Sequence, residues 1–282
     1  MQILIVGCGY LGLRAARAWQ ERGHTISALT RSSQRADEWC QKGIQPIVGD
    51  VLHPESLQAL PEADLCLYAV GYDRTAGANK REVYVNGLNN VLSVLQERVP
   101  RLIFVSSTSV YGQDNGEIVN EDSPCVPTSD GGDICLEAEH CVIDRFAGEG
   151  RTSTILRLAG LYGPQRLIAR REQLQSGVPL SGNPDAWLNL IHVDDAVQAV
   201  LRLSETETSR SPLLLSDEHP LRRREFYSAM AREVGAPEPT FLPGEPTGLN
   251  KQCDSSQTRK ELGLTLRHPN AIDAIRSLLT NG

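Results

Sequence analysis

QILIVGCGYLG, running from Gln2 to Gly12, joins an apolar β-forming run to a glycine-punctuated turn and then to a helical pattern. Gly7, Gly9 and Gly12 stand as G-x-G-x-x-G directly after the apolar run, where a helix from Leu11 begins. Each glycine has its own physical task. Gly7 permits a tight turn, Gly9 lets the main chain approach a pyrophosphate, and Gly12 lets the helix pack closely on the sheet. The helix mouth at Tyr10 and Leu11 then turns its N–H groups toward the phosphates. This context predicts a dinucleotide-binding first βα unit and disfavours a glycine-rich turn with no ligand.

Outward from this unit, short apolar runs alternate with helical patterns. Ile3 to Val6, Thr25 to Leu29, Pro46 to Val48, Leu65 to Val70, Leu102 to Val105 and Ser153 to Leu158 read as strands. Leu11 to Arg22, Ser33 to Lys42, Ala78 to Arg98 and Gly132 to Gly148 read as helices. Alternation of this kind predicts an α/β fold, a doubly wound parallel-sheet Rossmann domain with helices on both faces. After Pro164 the pattern becomes Gly/Pro-punctuated, with helical pieces at Val193 to Leu203, Arg223 to Val234 and Ala271 to Leu279. The expected division is residues 1–164 with 188–203 as the nucleotide-binding domain, and 165–187 with 204–282 as a smaller C-terminal cap.

The end of the second strand decides between cofactors, because an acid there takes the ribose 2′-OH whereas arginine pairs with a 2′-phosphate. Leu29-Thr30-Arg31-Ser32 contains no carboxylate, so Arg31, Ser32 and Arg35 are the expected phosphate pocket and NADP the expected cofactor, with NAD as the alternative. A solvated helix start is the other reading of the two arginines. Asp50, followed by Val51 after the third strand, has two readings, acceptor for the adenine amino group or cap of the next turn.

The net charge of -7 and the pI near 5.5 argue against nucleic acid or an anionic membrane as partner. No run approaches the ~18 apolar residues of a membrane span, and Met1 leads straight into a strand, so a cytoplasmic location is expected. Seven scattered cysteines without a C-x-x-C pair indicate reduced thiols. No metal site is expected, and Glu137-x-x-His140 reads as a solvated helix face.

The loop, Gly49-Asp50-Val51, FVSSTSVYG (Phe104 to Gly112), RLAGLYGP (Arg157 to Pro164) and NLIHVDDAVQAV (Asn189 to Val200) follow one another in family order. With them the chain resembles the extended and atypical short-chain dehydrogenase/reductase superfamily, and more narrowly an NAD-dependent epimerase/dehydratase-like protein. The resemblance implies that Ser107 takes the catalytic Ser/Thr position, with Thr108 as its neighbour and possible substitute. It implies that Ala69, Val70 and Gly71 pack on the cofactor, that Leu158 to Tyr162 lies near the nicotinamide, and that Tyr111 lies beside the substrate. His192 to Asp195 is implied as a structural turn.

One departure bears on chemistry. The family's Tyr-x-x-x-Lys pair supplies an acid/base tyrosinate and a lysine that lowers its pKa. Aligning Glu139 with the acid that often follows the pair puts Gly131 at the tyrosine position and Cys135 at the lysine position, and no Tyr or Lys occurs between Gly112 and Arg151. Tyr111, Tyr72, Asp73, Asp130 and Asp133 are candidate replacements, each with a turn or surface residue as its other reading. The family's asparagine in the helix after the fourth strand falls on Tyr84.

Arg166, Arg170 and Arg171 follow the YGP turn, where relatives grip a nucleotide diphosphate; an exposed basic face is the other reading. The run Arg222 to Arg224 reads as solvated. Two functions are compatible: a reductase or epimerase on a sugar-like or nucleotide-linked small molecule with a non-standard acid/base, or a non-catalytic NADP(H) sensor or scaffold. A homodimer, or a monomer in weak exchange with it, is expected through the helices Ala78 to Arg98 and Gly132 to Gly148; Leu88, Val91 and Leu95 offer a stripe there, and the same stripe is needed to cover the sheet.

Overall fold

A computed structural model of the chain describes residues 1–280 other than 76, 147, 149, 207, 209 and 243–247. The expected helix to Gly148 and the expected cap segment 204–282 each include positions outside the described residues. The chain forms two units. The first comprises Met1–Ser107, Ser129–Arg157 and Val197–Leu213; the second comprises Thr108–Thr128, Leu158–Ala196 and Leu214–Gly282. Relative to the expected division, 108–128, 158–164 and 188–196 group with the second unit and most of 204–213 with the first.

The main sheet is built on β1 (Gln2–Val6), β2 (Thr25–Thr30), β3 (Gln45–Val48), β4 (Leu65–Tyr68), β5 (Arg101–Ser107), β6 (Thr152–Leu158) and β7 (Leu213–Leu215). Their order in the seven-stranded sheet is β7-β6-β5-β4-β1-β2-β3. The pairs β1/β2, β1/β4, β2/β3 and β4/β5 are parallel, with Ile3 opposite both Ile26 and Leu65. The order reverses at β1, the switch point where open α/β sheets bind ligands. Ile3 to Val6 are fully buried, as a strand covered by helices on both faces requires.

Helices α1 (Gly12–Gln20), α2 (Ser33–Cys40), α3 (Gly87–Leu95) and α4 (Asp130–Phe146) cover the sheet, and a π-helical turn, Glu82–Asn86, leads into α3. The expected fourth strand stops two residues early, at Tyr68, because Ala69 and Val70 leave it to pack under the glycine turn. Leu88, Val91 and Leu95 are completely buried with Tyr68 and Phe104 in one core. These three side chains therefore cover the sheet.

The Trp19 indole donates to Ser204 Oγ at 3.0 Å, and Arg101 donates to the carbonyls of Leu203 and Ser204 at 2.8 and 3.0 Å. A guanidinium thus satisfies the last carbonyls of the helix Val193–Glu205, whose partial charge is negative.

In the second unit, Gly160–Tyr162 pairs parallel with Leu190–His192, Trp187–Leu188 antiparallel with Leu221–Arg222, and Ile118–Val119 parallel with Gln252–Cys253. Helices Ile168–Gln175, Arg223–Glu233 and Ala271–Thr280 surround a core with Tyr162, Leu180, Phe226, Met230 and Ile275. The arginine run is not simply solvated. Arg222 stacks on Trp187 at 3.7 Å, Arg223 donates to the Ser181 carbonyl, and Arg224 pairs with Asp185.

Candidate functional site

The turn between β1 and α1 is locked at two glycines and open at the third. Gly7 has φ of +95°, and a Cβ on it would lie 2.3 Å from the Ala69 carbonyl carbon. A Cβ on Gly12 would meet the Gly7 carbonyl oxygen at 2.6 Å, so the start of α1 presses directly on the turn. Around Gly9, by contrast, a Cβ would meet nothing within 4 Å, and the same holds at Gly71. A main chain held against β4 on one side and left clear at Gly9 forms the cradle a pyrophosphate needs, and the residues present fit a dinucleotide. Tyr10 and Leu11 lie at the helix mouth, where Arg14 stacks on the Tyr10 ring at 4.1 Å and donates to its carbonyl. Burial pushes the Cys8 thiol up to about 12, which keeps it protonated.

At the end of β2, Arg31 and Arg35 are exposed, and the Arg31 guanidinium reaches Asp73 at 3.5 Å. The Ser32 hydroxyl oxygen accepts from the Arg35 amide as the N-cap of α2, which leaves its O–H as a donor. Asp50 accepts from the Leu52 amide at 3.0 Å, and its own amide donates to Ser56 Oγ. Turn-capping therefore occupies one oxygen of its carboxylate. Val51 is buried, its side chain against Gly87 and its carbonyl accepting from Asn90.

Ser107 is the last residue of β5 and is half-buried. Beside it, Ser106 donates to Glu139 at 2.6 Å, and Glu139 forms a bidentate pair with Arg157. Glu139 and Arg157 are only 1% and 5% exposed, so a buried, fully bonded ion pair fixes α4 to β5 and β6. Gly131, Cys135 and Glu139 fall four residues apart on one face of α4.

In the second unit, Thr108 opens a 3₁₀ turn, bonds the Cys253 thiol and is buried. Tyr111 is completely buried, and its carbonyl accepts from Lys251 Nζ at 2.7 Å. Burial lowers the Lys251 ammonium to about 8. Leu158, the last residue of β6, is buried. Arg170 bonds Gln173 and lies over the Tyr227 ring at 5.9 Å, while Arg166 is exposed.

His192 is buried and accepts from the Asp194 amide, as a structural turn requires. His192, Asp194 and His268 bring possible metal-ligand atoms within 4.8 Å of one another, a grouping outside the sequence expectation. The two imidazoles stack with centroids 3.7 Å apart. Glu137 pairs with Arg81, so it is an ion-paired helix face.

The sequence reading passed over Lys80, whose Nζ lies 2.6 Å from where a Cβ on Gly131 would sit. It is followed by Tyr84, one helical turn later, and that i, i+4 spacing was the available signal.

Comparison with known proteins places this geometry among relatives. The model of the NAD dependent epimerase/dehydratase family matches residues 3–212. The chain is 29% identical over 280 residues to Protein YeeZ of Escherichia coli (strain K12), covering 96% of this chain and 97% of that protein. It is 30% identical over 274 residues to short-chain dehydrogenase/reductase family 42E member 1 of Homo sapiens, covering 84% of this chain and 68% of that one. A solved structure of UDP-glucuronic acid 4-epimerase from Bacillus cereus, in complex with UDP-glucuronic acid and NAD, shares the fold with a TM-score of 0.80 at 19% identity, over 100% of this chain and 99% of that one. Among the described residues, no helix is long and apolar enough to cross a membrane.

Proposed function

The chain belongs to the NAD dependent epimerase/dehydratase family of extended short-chain dehydrogenases/reductases, and from that membership we propose that it is an NADP(H)-preferring reductase acting on the carbonyl of a sugar-like or nucleotide-linked small molecule. The observation that carries this reading is the β2 end, where Arg31 and Arg35 are exposed and the stretch Leu29 to Ser32 holds no carboxylate, together with a glycine turn left open at Gly9. Gly7, Gly9, Tyr10, Leu11 and Gly12 would hold the pyrophosphate, Arg31 and Arg35 the 2′-phosphate, Asp50 and Val51 the adenine end, and Ala69 to Gly71 with Leu158 the nicotinamide half. The first unit is the nucleotide-binding part of this reading, and the second, with Arg166, Arg170 and Arg171, the part that takes the substrate. A cytoplasmic location accords with it.

When bound, the nicotinamide supplies hydride to the carbonyl carbon. Ser107 donates a hydrogen bond to the carbonyl oxygen, which develops negative charge as the carbon is reduced. A reductase delivers one proton to that oxygen once. An epimerase must remove and return it, and the α4 positions that serve this purpose in the family hold Gly131 and Cys135. The same two residues support a second reading, a dinucleotide sensor without turnover.

The deciding experiment follows NADPH and NADH consumption by the purified chain against a panel of ketones, keto-sugars and nucleotide-linked keto-sugars. Reduction with NADPH preferred, slowed in Ser107→Ala, is expected. Tight NADPH binding with no substrate reduced would transfer the conclusion to the sensor.

A further inference from the structure

Between α4 and the π-helical turn, the space that a side chain at position 131 would fill is already taken. Lys80 Nζ stands 2.6 Å from the Cβ that Gly131 lacks, and 5.5 Å from the centroid of the Tyr84 ring. Among the described residues, no carboxylate stands within ion-pair distance of this ammonium. We propose that Lys80 and Tyr84 are the relocated acid/base couple of this protein, a Lys-x-x-x-Tyr on the neighbouring helix in place of Tyr-x-x-x-Lys on α4. Tyr84 gives the proton to the substrate oxygen, and Lys80 stabilises the phenolate left behind. The inference rests on the reductase reading and assigns its missing group.

Three features support it. The Tyr84 oxygen accepts a hydrogen bond from the Tyr72 amide at 3.1 Å, which leaves the phenolic hydrogen available as a donor and offers the phenolate a fixed N–H partner. Tyr84 lies within Glu82–Asn86, where the Gly87 amide bonds the Glu82 carbonyl in a π turn, a distortion frequent at functional sites. Gly131 and Cys135 share their α4 face with Glu139, which is bonded to Ser106 beside Ser107, so the couple borders the helix face that leads to the end of β5.

The step balances. The carbonyl carbon takes hydride from NADPH, which is oxidised to NADP⁺, as the C=O π pair moves to oxygen; that oxygen takes the Tyr84 proton, and solvent returns a proton to the phenolate. The titratable groups facing Tyr84 are Lys80, Cys135 on α4, Tyr72 from the preceding loop and Tyr68 at the end of β4. Burial holds its phenol above the usual tyrosine range, so it is protonated and ready to donate at neutral pH.

The test compares the full chain with Tyr84→Phe, Lys80→Met and Lys80→Arg by three measurements: NADPH affinity, ultraviolet difference titration of phenolate, and NADPH consumption on whichever carbonyl the wild type reduces. Unchanged NADPH affinity is expected in all three variants. The phenolate transition lost in Tyr84→Phe should move to higher pH in Lys80→Met and return toward wild type in Lys80→Arg. Turnover should fall roughly 10²- to 10⁴-fold in Tyr84→Phe. An unmoved phenolate transition in Lys80→Met overturns the couple. So does a wild type that reduces a carbonyl as fast as Tyr84→Phe does. A wild type that binds NADPH and reduces nothing overturns the reductase reading itself, and the catalytic role with it.

Discussion

Arg157 lays its guanidinium along the Glu139 carboxylate, with Nε at 3.0 and 3.2 Å from its two oxygens and Nη2 at 2.7 Å from one. Neither side chain reaches water to any useful extent. Removing one partner strands a charge where it cannot be solvated, so Glu139→Ala should cost about 3–5 kcal/mol of stability. Replacing both by Glu139→Leu with Arg157→Met should cost much less. Urea unfolding of the three proteins checks this, and a single-variant loss under about 1 kcal/mol would contradict the assigned role.

The glycine turn predicts a separation of stability from binding. Gly7→Ala would force a side chain into Ala69 at a positive φ and should destabilise by roughly 1–3 kcal/mol or more. Gly9→Ala meets no protein atom, so its unfolding midpoint should match wild type while dinucleotide affinity falls about tenfold, the equivalent of ~1.4 kcal/mol. Thermal unfolding beside calorimetric titration distinguishes the two. Equal cofactor affinity in Gly9→Ala would remove the pyrophosphate from this turn.

Arg31 and Asp73 sit 3.5 Å apart at half-exposed positions, so the pair contributes little to stability but places a carboxylate beside the proposed phosphate-binding arginine. Arg31→Ala should weaken NADPH roughly ten- to a hundredfold and leave NADH within a factor of about two. Asp73→Asn should tighten NADPH, because a like charge is removed. Calorimetry with both cofactors measures these shifts, and identical losses for NADPH and NADH in Arg31→Ala would refute the 2′-phosphate contact.

Asp217, in the second unit, is buried, and that burial pushes its carboxyl up to about 8; the Ala271 amide opposes the shift and the Asp195 and Glu218 charges add to it. The folded chain keeps a proton that the unfolded chain releases near pH ~4. The resulting stability is complete below that pH and is lost as pH rises through about 8. Lys251, lowered to about 8, acts in the opposite sense and in a separate window, relieving a penalty between about 8 and the ordinary lysine range. The urea midpoint should therefore fall between about pH 5 and about pH 8, and Asp217→Asn should flatten that fall. A wild-type slope preserved in the variant would assign it to other groups.

Much of the first unit was legible because its signals are local. Ile3 to Val6 is apolar throughout, as a strand buried on both faces must be, and the glycines fix the turn that follows. Leu213–Leu215 was not legible, since three leucines carry no period and only the neighbouring strand makes them part of a sheet. Arg222 and Arg223 looked solvated because stacking on Trp187 and Tyr227 comes from residues distant in the chain or on a helix face not yet built. The acid/base question was posed along α4, at Tyr111 and at Tyr72 and Asp73, but not at Lys80. Sequence spacing cannot show that a lysine from the preceding helix fills the space above Gly131.

The interleaving of the two units also sets a timetable for synthesis. The chain emerges N-terminus first at about 5–20 residues per second, so β6 appears several seconds before β7, the strand that becomes the outer edge beside it. During that interval the growing sheet ends in an open row of peptide groups, the kind of edge that recruits foreign strands. A ribosome pause engineered between Leu158 and Leu213 should therefore lower soluble yield more than the same pause placed after Leu215. Neither unit can be obtained as a single uninterrupted fragment, and their biogenesis is one event.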